Sequence, residues 1–393
     1  MMKYNFDQII ERRGTNSYKW DTPSDGDVIP MWVADMDFCT APAVTEAVMR
    51  RARHGIYGYV TVPEVFYQAT INWFKTRHHW TIERDWILYT SGVVPAISAI
   101  IKAFTSPGDK VIVQQPVYNC FFSSIRNNGC EIVDNALIAT HDTYVMDYDD
   151  LDKKTQDDKV KLLLLCNPHN PTGRVWTREE LSQVGEICAR NHVIVVSDEI
   201  HCELTMPGYD YVPYASISLE MQDQSITCVS PSKAFNTAGL QIANIVTNHD
   251  EWRRKIDGAI NDNEVCDVNP FGVEALIAAY NQGADWLEQL RHYLWQNYTA
   301  LKNYFKQHMP ACKVNKLEAT YLVWVNIEST GLTSDQLTQL LLSEGKVMVN
   351  SGTMYGQDHG EGYIRINIAC PRARMLEGLE RIAHVVERLD QSS

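Results

Sequence analysis

Short apolar segments alternate with amphipathic segments through the middle of the chain. The apolar segments have the length and residue types of buried strands. They lie at 86–90, 110–113, 131–137, 161–166, 193–197, 225–229 and 242–246. Helical patterns stand between some of them, at 94–104 and from a capping box at Thr177 and Glu180 to about residue 190. This alternation predicts an α/β fold with a mostly parallel sheet and helices on both faces.

The C-terminal part of the chain follows a different pattern. A long helical pattern covers 274–308, and it precedes strands at 321–327, 347–349 and 363–368 with helices at 334–344 and 374–389. This order predicts a smaller α+β domain. The irregular first 45 residues are expected to form an arm that belongs with it. A length of 393 residues agrees with two domains. The predicted division is an arm at 1–45, a large domain at 46–285 and a small domain at 286–393.

Composition and charge exclude several kinds of partner. The net charge of −14 gives no electrostatic reason to expect nucleic acid or an anionic membrane. No apolar run reaches the length of a membrane span, and the N-terminus lacks the apolar region of a secretory signal. The ten cysteines are scattered and form no Cys-x-x-Cys pair, so we expect reduced thiols in a cytoplasmic protein. Without a cluster of histidine and cysteine ligands, we expect no metal site.

Polar residues follow four of the predicted strands at the point where each strand ends. In chain order they form a small-residue helix start, an Asn-Pro turn, an acid and a lysine, at Ser91-Gly92-Val93, Asn170, Asp198 and Lys233. The carboxyl ends of parallel strands meet along one edge of a sheet, where α/β proteins bind their ligands. We therefore expect these four groups to converge on one site.

Each of these features has a plain structural explanation when it is taken alone. A helix start after a strand is a common turn, and an asparagine between prolines is ordinary turn chemistry. Asp198 has the residue type of a helix N-cap, and a single lysine is usually solvated. Together, however, a helix N-terminus for phosphate, a buried acid for a protonated ring nitrogen and a nucleophilic amine suit one ligand. That ligand is pyridoxal phosphate.

The same segments resemble a known group of enzymes. Three motifs are similar to those of the fold-type I pyridoxal-phosphate enzymes of the class I/II aminotransferase superfamily, namely Asn167-Pro-His-Asn-Pro-Thr-Gly173, Ser197-Asp-Glu-Ile-His201 and Ser230-Pro-Ser-Lys233. Further segments resemble the MalY/PatB family of cystathionine β-lyases (C–S lyases), namely Trp32-Val-Ala-Asp-Met-Asp-Phe38, Gly92-Val-Val-Pro95, Asp198-Glu-Ile-His-Cys-Glu203, Lys233-Ala-Phe-Asn-Thr-Ala-Gly-Leu-Gln241 and Tyr363-Ile-Arg-Ile-Asn-Ile-Ala-Cys-Pro-Arg372. The resemblance runs from about residue 3 to 390. It implies the pyridoxal-phosphate-dependent transferase fold, whose large domain has a mostly parallel seven-stranded sheet.

The resemblance implies how the chain holds pyridoxal phosphate. Lys233 would bind the cofactor as a Schiff base, Asp198 would pair with the pyridine nitrogen, and Asn170 would donate to the cofactor O3′. Tyr118 would stack on the pyridine ring. The residues that would hold the phosphate are Gly92, Val93, Ser230 and Ser232.

The resemblance also implies how the substrate and a second subunit are bound. Arg365 would clamp the substrate α-carboxylate with its two-pronged guanidinium, and the backbone of Ala34 would assist. Tyr59 would reach the cofactor phosphate of the partner subunit, which implies a homodimer with shared sites.

Two positions depart from the wider superfamily. His201 stands where a tyrosine is usual three residues after the acid, and we expect it among the cofactor-binding residues. Gln241 stands where an arginine often binds the phosphate, eight residues after the lysine. Both departures agree with the β-lyase branch.

The expected reaction is αβ-elimination from an L-amino acid with sulfur at Cβ, such as cystathionine, to a thiol, pyruvate and ammonia. Lys233 would remove the Cα proton as a general base. An aminotransferase is the nearest alternative, because the same residues serve it. A pyridoxal-phosphate-binding regulator without turnover is a second alternative, although the intact set of Lys233, Asp198, Asn170 and Arg365 argues against it.

Overall fold

A seven-stranded sheet forms the centre of the structure, a computed structural model that describes residues 3–262 and 264–390. In spatial order its strands are Ile87–Thr90, Ala243–Val246, Ser225–Val229, Ile194–Asp198, Val160–Cys166, Lys110–Val113 and Glu131–Asp134. Ala243–Val246 runs antiparallel to both of its neighbours, and the other strands share one direction. The predicted α/β class with a mostly parallel seven-stranded sheet is confirmed.

Helices cover both faces of this sheet. Leu162 and Leu164 pack on one face against helices that include Val93–Phe104. Leu163 and Leu165 pack on the other face, together with buried residues of helix Arg178–Arg190. Because alternate side chains of a strand point to opposite faces, a strand buried on both sides is apolar throughout. This explains the unbroken run of leucines in the sequence.

The α-helices range in length from 4 to 25 residues. The α-helices lie at Tyr18–Asp21, Pro42–His54, Glu64–His78, Val93–Phe104, Cys120–Asn127, Tyr148–Thr155, Arg178–Arg190, Leu219–Asp223, Asp250–Asn261, Pro270–Gln282, Ala284–His308, Ser334–Ser343 and Arg372–Asp390. Short 3₁₀ segments lie at Arg84–Trp86, Tyr214–Ser216, Ala238–Leu240, Glu328–Thr330 and Gly352–Tyr355. The predicted capping box is present, since Thr177 and Glu180 each accept from the other's backbone N–H. None of the described helices is long and apolar enough to cross a bilayer.

A second, antiparallel sheet has four strands. In spatial order they are Lys313–Val314, Leu322–Asn326, Tyr363–Asn367 and Asn350–Ser351. Two pairs of short strands lie outside both sheets, an antiparallel pair of Ile138–Ala139 with Tyr144–Val145 and a parallel pair of Ile29–Pro30 with Val347–Met348. The second pair attaches the N-terminal segment to the region of the predicted small domain. The domain boundaries stay predictions, and their ends at 1–2 and 391–393 lie outside the described residues.

The long helical pattern predicted over 274–308 is helical in the structure, with one interruption. The chain forms two helices, Pro270–Gln282 and Ala284–His308, which meet at Gly283. A Cβ atom at Gly283 would clash with Cε1 of Phe235 and would lie 2.5 Å from the carbonyl oxygen of Ala279. Only glycine fits so close an approach. The junction therefore packs against the segment that directly follows Lys233.

Candidate active site

A cavity of about 450 Å³ lies at the carboxyl ends of the central strands. Most of the predicted site residues line it, namely Ala34, Gly92, Val93, Tyr118, Asn170, Asp198, His201, Ser232, Lys233 and Arg365. The large sheet supplies one side of the cavity. The N-terminal segment and the second sheet supply the other side through Ala34 and Arg365. The four strand ends therefore converge as the sequence predicted.

Lys233 lies in the turn after strand Ser225–Val229, and its amine reaches the N-terminal segment. Its Nζ donates to the carbonyl oxygen of Ala34 at 2.9 Å, and the hydroxyl of Tyr321 donates to the same carbonyl at 2.9 Å. Burial, followed by the positive charge of Arg365, lowers the pKa of the Lys233 amine. A lowered pKa increases the neutral, nucleophilic fraction of an amine. Lys233 is therefore a cavity lysine and not a solvated surface charge.

Asp198 is the last residue of strand Ile194–Asp198 and is only 3% exposed. Its Oδ1 accepts a hydrogen bond from the backbone N–H of Ile200 at 3.1 Å. Burial raises the pKa of Asp198 to about 7, while the bond from Ile200 and the charge of Lys233 act in the opposite direction. Among the described elements no helix begins at Asp198, so it is not an N-cap. A carboxyl group in this environment favours a positively charged partner.

Arg365 lies on strand Tyr363–Asn367 and is 3% exposed. Its Nη1 donates to Oδ1 of Asn170 at 3.1 Å, and its Nη2 donates to the carbonyl oxygen of Trp32 at 2.9 Å. Its Nε is buried and has no hydrogen-bond partner in the described part of the chain. The guanidinium therefore retains donors for a carboxylate.

The turn at 167–173 fixes the place of Asn170. The backbone N–H of Gly173 donates to the carbonyl of His169, and its carbonyl accepts from the N–H groups of Glu318 and Ala319. Gly173 has a φ of +74°, and a Cβ there would lie 2.9 Å from Cδ1 of Leu317. Backbone conformation and space both favour glycine at this position.

The start of helix Val93–Phe104 forms one corner of the cavity. Gly92 and Val93 line it, together with Ser232. The first N–H groups of a helix have no partner within that helix, so this corner suits an anion. Ser230 is not among the lining residues. Its hydroxyl donates to the carbonyl of Ile242 at 2.7 Å and accepts from Ser232 N–H at 3.1 Å. Ser230 thus shapes the turn, and its contact with a phosphate stays a prediction.

Three further predicted residues carry rings. Tyr118 and His201 line the cavity; burial raises the pKa of Tyr118 and lowers the pKa of His201, so both are neutral near pH 7. Nδ1 of His201 is buried and has no hydrogen-bond partner within 3–262 and 264–390. Tyr59 is 97% exposed and does not line the cavity of its own chain.

Sequence reasoning missed several lining residues. They include Tyr18, Cys120, Asn350, Met354 and Tyr355. Asn350 and Tyr355 belong to short elements of the second sheet region, Asn350–Ser351 and Gly352–Tyr355, which carry no strong periodic pattern. Strand pairing opposite Arg365 brings Asn350 to the site, Tyr355 follows in the next 3₁₀ segment, and no motif in the sequence marks either position.

His78, Cys202 and Glu203 form a separate group whose atoms could offer ligands to a metal. The carboxylate of Glu203 already accepts from Nε1 of Trp73 at 2.7 Å, lies 2.6 Å from Nε2 of His78 and pairs with Nε of Arg77 at 3.0 Å. These partners lower the pKa of Glu203 to about 2 against the effect of its burial. The group is accordingly a hydrogen-bonded ion cluster, and it lies outside the cavity described above.

Known proteins are similar to this chain over nearly its whole length. Residues 27–382 match the family model described as aminotransferase class I and II. The chain is 42% identical to cystathionine beta-lyase PatB of Bacillus subtilis, over 96% of this chain and 98% of that protein. It is 30% identical to protein MalY of Escherichia coli, over 98% of this chain and 99% of that protein.

A solved structure is similar over the same length. Cystalysin from Treponema denticola, which contains a pyridoxal 5′-phosphate cofactor, superposes with a TM-score of 0.96 at 32% identity. The match covers 99% of this chain and 100% of that chain. The chain therefore belongs to the class I and II aminotransferase family, in the group that includes PatB and MalY.

Proposed function

We propose that the protein catalyses pyridoxal-phosphate-dependent αβ-elimination of L-amino acids with sulfur at Cβ, such as L-cystathionine, to a thiol, pyruvate and ammonia. The observation that carries the proposal is the convergence of Lys233, Asp198, Asn170 and Arg365 on one cavity. The 42% identity to a cystathionine β-lyase over nearly the whole chain supports elimination as the reaction.

The residues of the cavity fit pyridoxal phosphate. Asp198 is a buried acid that favours a cation, as a protonated pyridine nitrogen would be. Nδ1 of His201 is buried without a hydrogen-bond partner among the described residues, which suits a ligand with polar substituents. Lys233 would hold the cofactor covalently. The remaining contacts would come from Asn170 and His201 at O3′, Tyr118 at the ring, and Gly92, Val93 and Ser232 at the phosphate, with Ser230 as a further phosphate contact.

The chain's own residues supply binding, orientation and proton transfer. When bound, the cofactor supplies an electron sink for the negative charge that develops at the substrate Cα. Arg365, assisted by the backbone of Ala34, binds the α-carboxylate and so fixes the direction of the Cα–H bond. Nζ of Lys233, whose pKa is lowered, would be released when the substrate amine replaces it on the cofactor, and the freed amine then accepts the Cα proton. Asp198 holds a proton at the ring nitrogen, and the thiolate leaves from Cβ.

A homodimer completes the proposal. Tyr59 is almost fully exposed, and the neighbouring Ile56 and Tyr57 are also exposed apolar residues. Such a patch is typical of a protein interface. In the proposed dimer, Tyr59 contacts the cofactor phosphate in the site of the other subunit.

The experiment that tests the reaction is pyruvate release from cystathionine, cystine and cysteine without any added keto acid. The proposal predicts pyruvate in proportion to the sulfur product released, which is a thiol from cystathionine, a persulfide from cystine and sulfide from cysteine. Strict dependence on an added keto acid would instead identify an aminotransferase. A protein that binds pyridoxal phosphate but turns over none of these amino acids would be a regulator.

A further inference from the structure

Arg365 contacts three groups in the wall of the cavity. Two are hydrogen-bond acceptors, Oδ1 of Asn170 and the carbonyl oxygen of Trp32. The third is the ring of Tyr355, whose centroid lies 4.8 Å from Cζ of the guanidinium. A cation over an aromatic face is attracted by the ring, and a planar guanidinium can lie against it. The direction of the free Nε donor therefore depends on where the carbonyl of Trp32 and the ring of Tyr355 are held.

One side chain donates hydrogen bonds to both the carbonyl of Trp32 and the hydroxyl of Tyr355. Nδ2 of Asn350 donates to the carbonyl oxygen of Trp32 at 3.2 Å and to the hydroxyl of Tyr355 at 2.8 Å. An amide nitrogen has two N–H groups, so both donors of Asn350 are used. The carbonyl of Trp32 thus accepts from Asn350 and from Arg365, and the ring of Tyr355 is fixed at its hydroxyl end.

The strand pairing explains why Asn350 reaches these groups. Asn350 stands directly opposite Arg365 in the antiparallel pair of strands Asn350–Ser351 and Tyr363–Asn367. Residues opposite each other in such a pair lie on the same face of the sheet. Asn350 is 7% exposed and Tyr355 is 1% exposed, so water does not readily replace the hydrogen bonds between them.

From this geometry we infer that Asn350 and Tyr355 are positioning residues that orient Arg365 for the substrate α-carboxylate. Asn350 acts through the Trp32 carbonyl and the Tyr355 ring, which are the groups that the guanidinium contacts. The inference rests on the proposed function in one respect, since it takes Arg365 as the carboxylate-binding residue.

Binding of two ligands that differ only in the carboxylate tests this role without turnover. L-Alanine and ethylamine share the amine and lack a leaving group at Cβ. Their dissociation constants are measured by calorimetry on the enzyme loaded with pyridoxal phosphate. The ratio of the two constants reports what the carboxylate contributes to binding.

Asn350→Ala should reduce the preference for L-alanine by about tenfold, because two buried hydrogen bonds that fix the clamp are lost. The dissociation constant of ethylamine should stay unchanged. Tyr355→Phe keeps the ring over the guanidinium and loses only the hydroxyl, so its effect should be smaller but in the same direction. This milder variant tests the inference even where Asn350→Ala fails to fold.

Asn297→Ala is the matched control. Nδ2 of Asn297 also donates to two backbone carbonyls, those of Ile368 and Cys370, and its side chain is fully buried, but Asn297 does not line the cavity. This control should lower the melting temperature and leave the ligand ratio unchanged. An unchanged ratio in Asn350→Ala and Tyr355→Phe, or an equal loss in the control, would overturn the inference. A wild-type enzyme without any preference for L-alanine would instead contradict the role of Arg365 in the proposed function.

Discussion

The carboxyl group of Asp198 lies in an environment that favours its neutral form unless a cation is present. In the chain without cofactor its pKa of about 7 lies above the ordinary 3.8 of an aspartic acid. The unfolded chain therefore releases this proton at lower pH than the folded chain does. The contribution of Asp198 to the free energy of unfolding should fall as the pH rises from about 4 to about 7.

Asp198→Asn removes this titration, so the variant should lack this fall in stability. The free energy of unfolding of the cofactor-free variant, minus that of the wild type, should rise across this window by on the order of 4 kcal/mol. Urea unfolding at stepped pH measures it. Asp37→Asn is the control, because the partners of Asp37 lower its pKa below the ordinary 3.8 although burial acts against them, so its difference should stay nearly constant across this window. A difference for Asp198→Asn that does not change with pH would contradict the assigned environment.

At the residue scale, the sequence was sufficient to predict site residues that directly follow a strand. Asn170, Asp198 and Lys233 were found because parallel strands deliver their carboxyl ends to one edge. Asn350 could not be found in this way, since it reaches the site only through its pairing opposite Arg365. The register of an antiparallel pair is a long-range contact that local periodicity does not encode.

At the scale of elements, the turn at 167–173 shows how backbone geometry serves the site. Gly173 joins this turn to the segment at 317–319, and it adopts a left-handed conformation close to Leu317. A side chain at this position would both strain the backbone and displace the neighbouring segment. The displacement would move Asn170, which carries one of the acceptors of Arg365.

Gly173→Ala should therefore impair both stability and substrate binding. The left-handed conformation alone costs about 1–2 kcal/mol for a residue with a side chain. Gly331→Ala is the matched control, because Gly331 has a φ of +70° but nothing within 4 Å of an added Cβ. Urea unfolding should show a larger loss of stability for Gly173→Ala than for Gly331→Ala. KM for cystathionine should rise only for Gly173→Ala. Equal losses in the two variants, with KM unchanged in both, would refute this account of the turn.

Element boundaries were predictable where the chain itself marks them, as at the capping box before helix Arg178–Arg190. The break at Gly283 was missed, because the helical pattern continues across it and the close approach of Phe235 is a contact between distant parts of the chain. The direction of Ala243–Val246 was equally hidden, since an apolar run reads the same in either direction. The helix break and the strand direction both involve contacts between distant parts of the chain, which local patterns do not show.

At the scale of the whole molecule, a homodimer should set the affinity for the cofactor. Tyr59→Ala is predicted to weaken binding of pyridoxal phosphate by about tenfold, as loss of one hydrogen bond to a charged group would do. Equilibrium dialysis against the free cofactor measures this change. Leu219→Ala is the control, because Leu219 is also strongly exposed. An unchanged affinity in Tyr59→Ala, or a monomer in sedimentation that binds the cofactor fully, would contradict the shared site.

The central claim is that Lys233 both holds the cofactor and moves the Cα proton during elimination. Pyruvate released from L-cystathionine without a keto acid, compared between the wild type and Lys233→Ala at equal total pyridoxal phosphate, tests it most directly. The account predicts steady release by the wild type, and it predicts loss of the covalently bound chromophore and of turnover in Lys233→Ala. Substantial pyruvate release by Lys233→Ala would contradict the account.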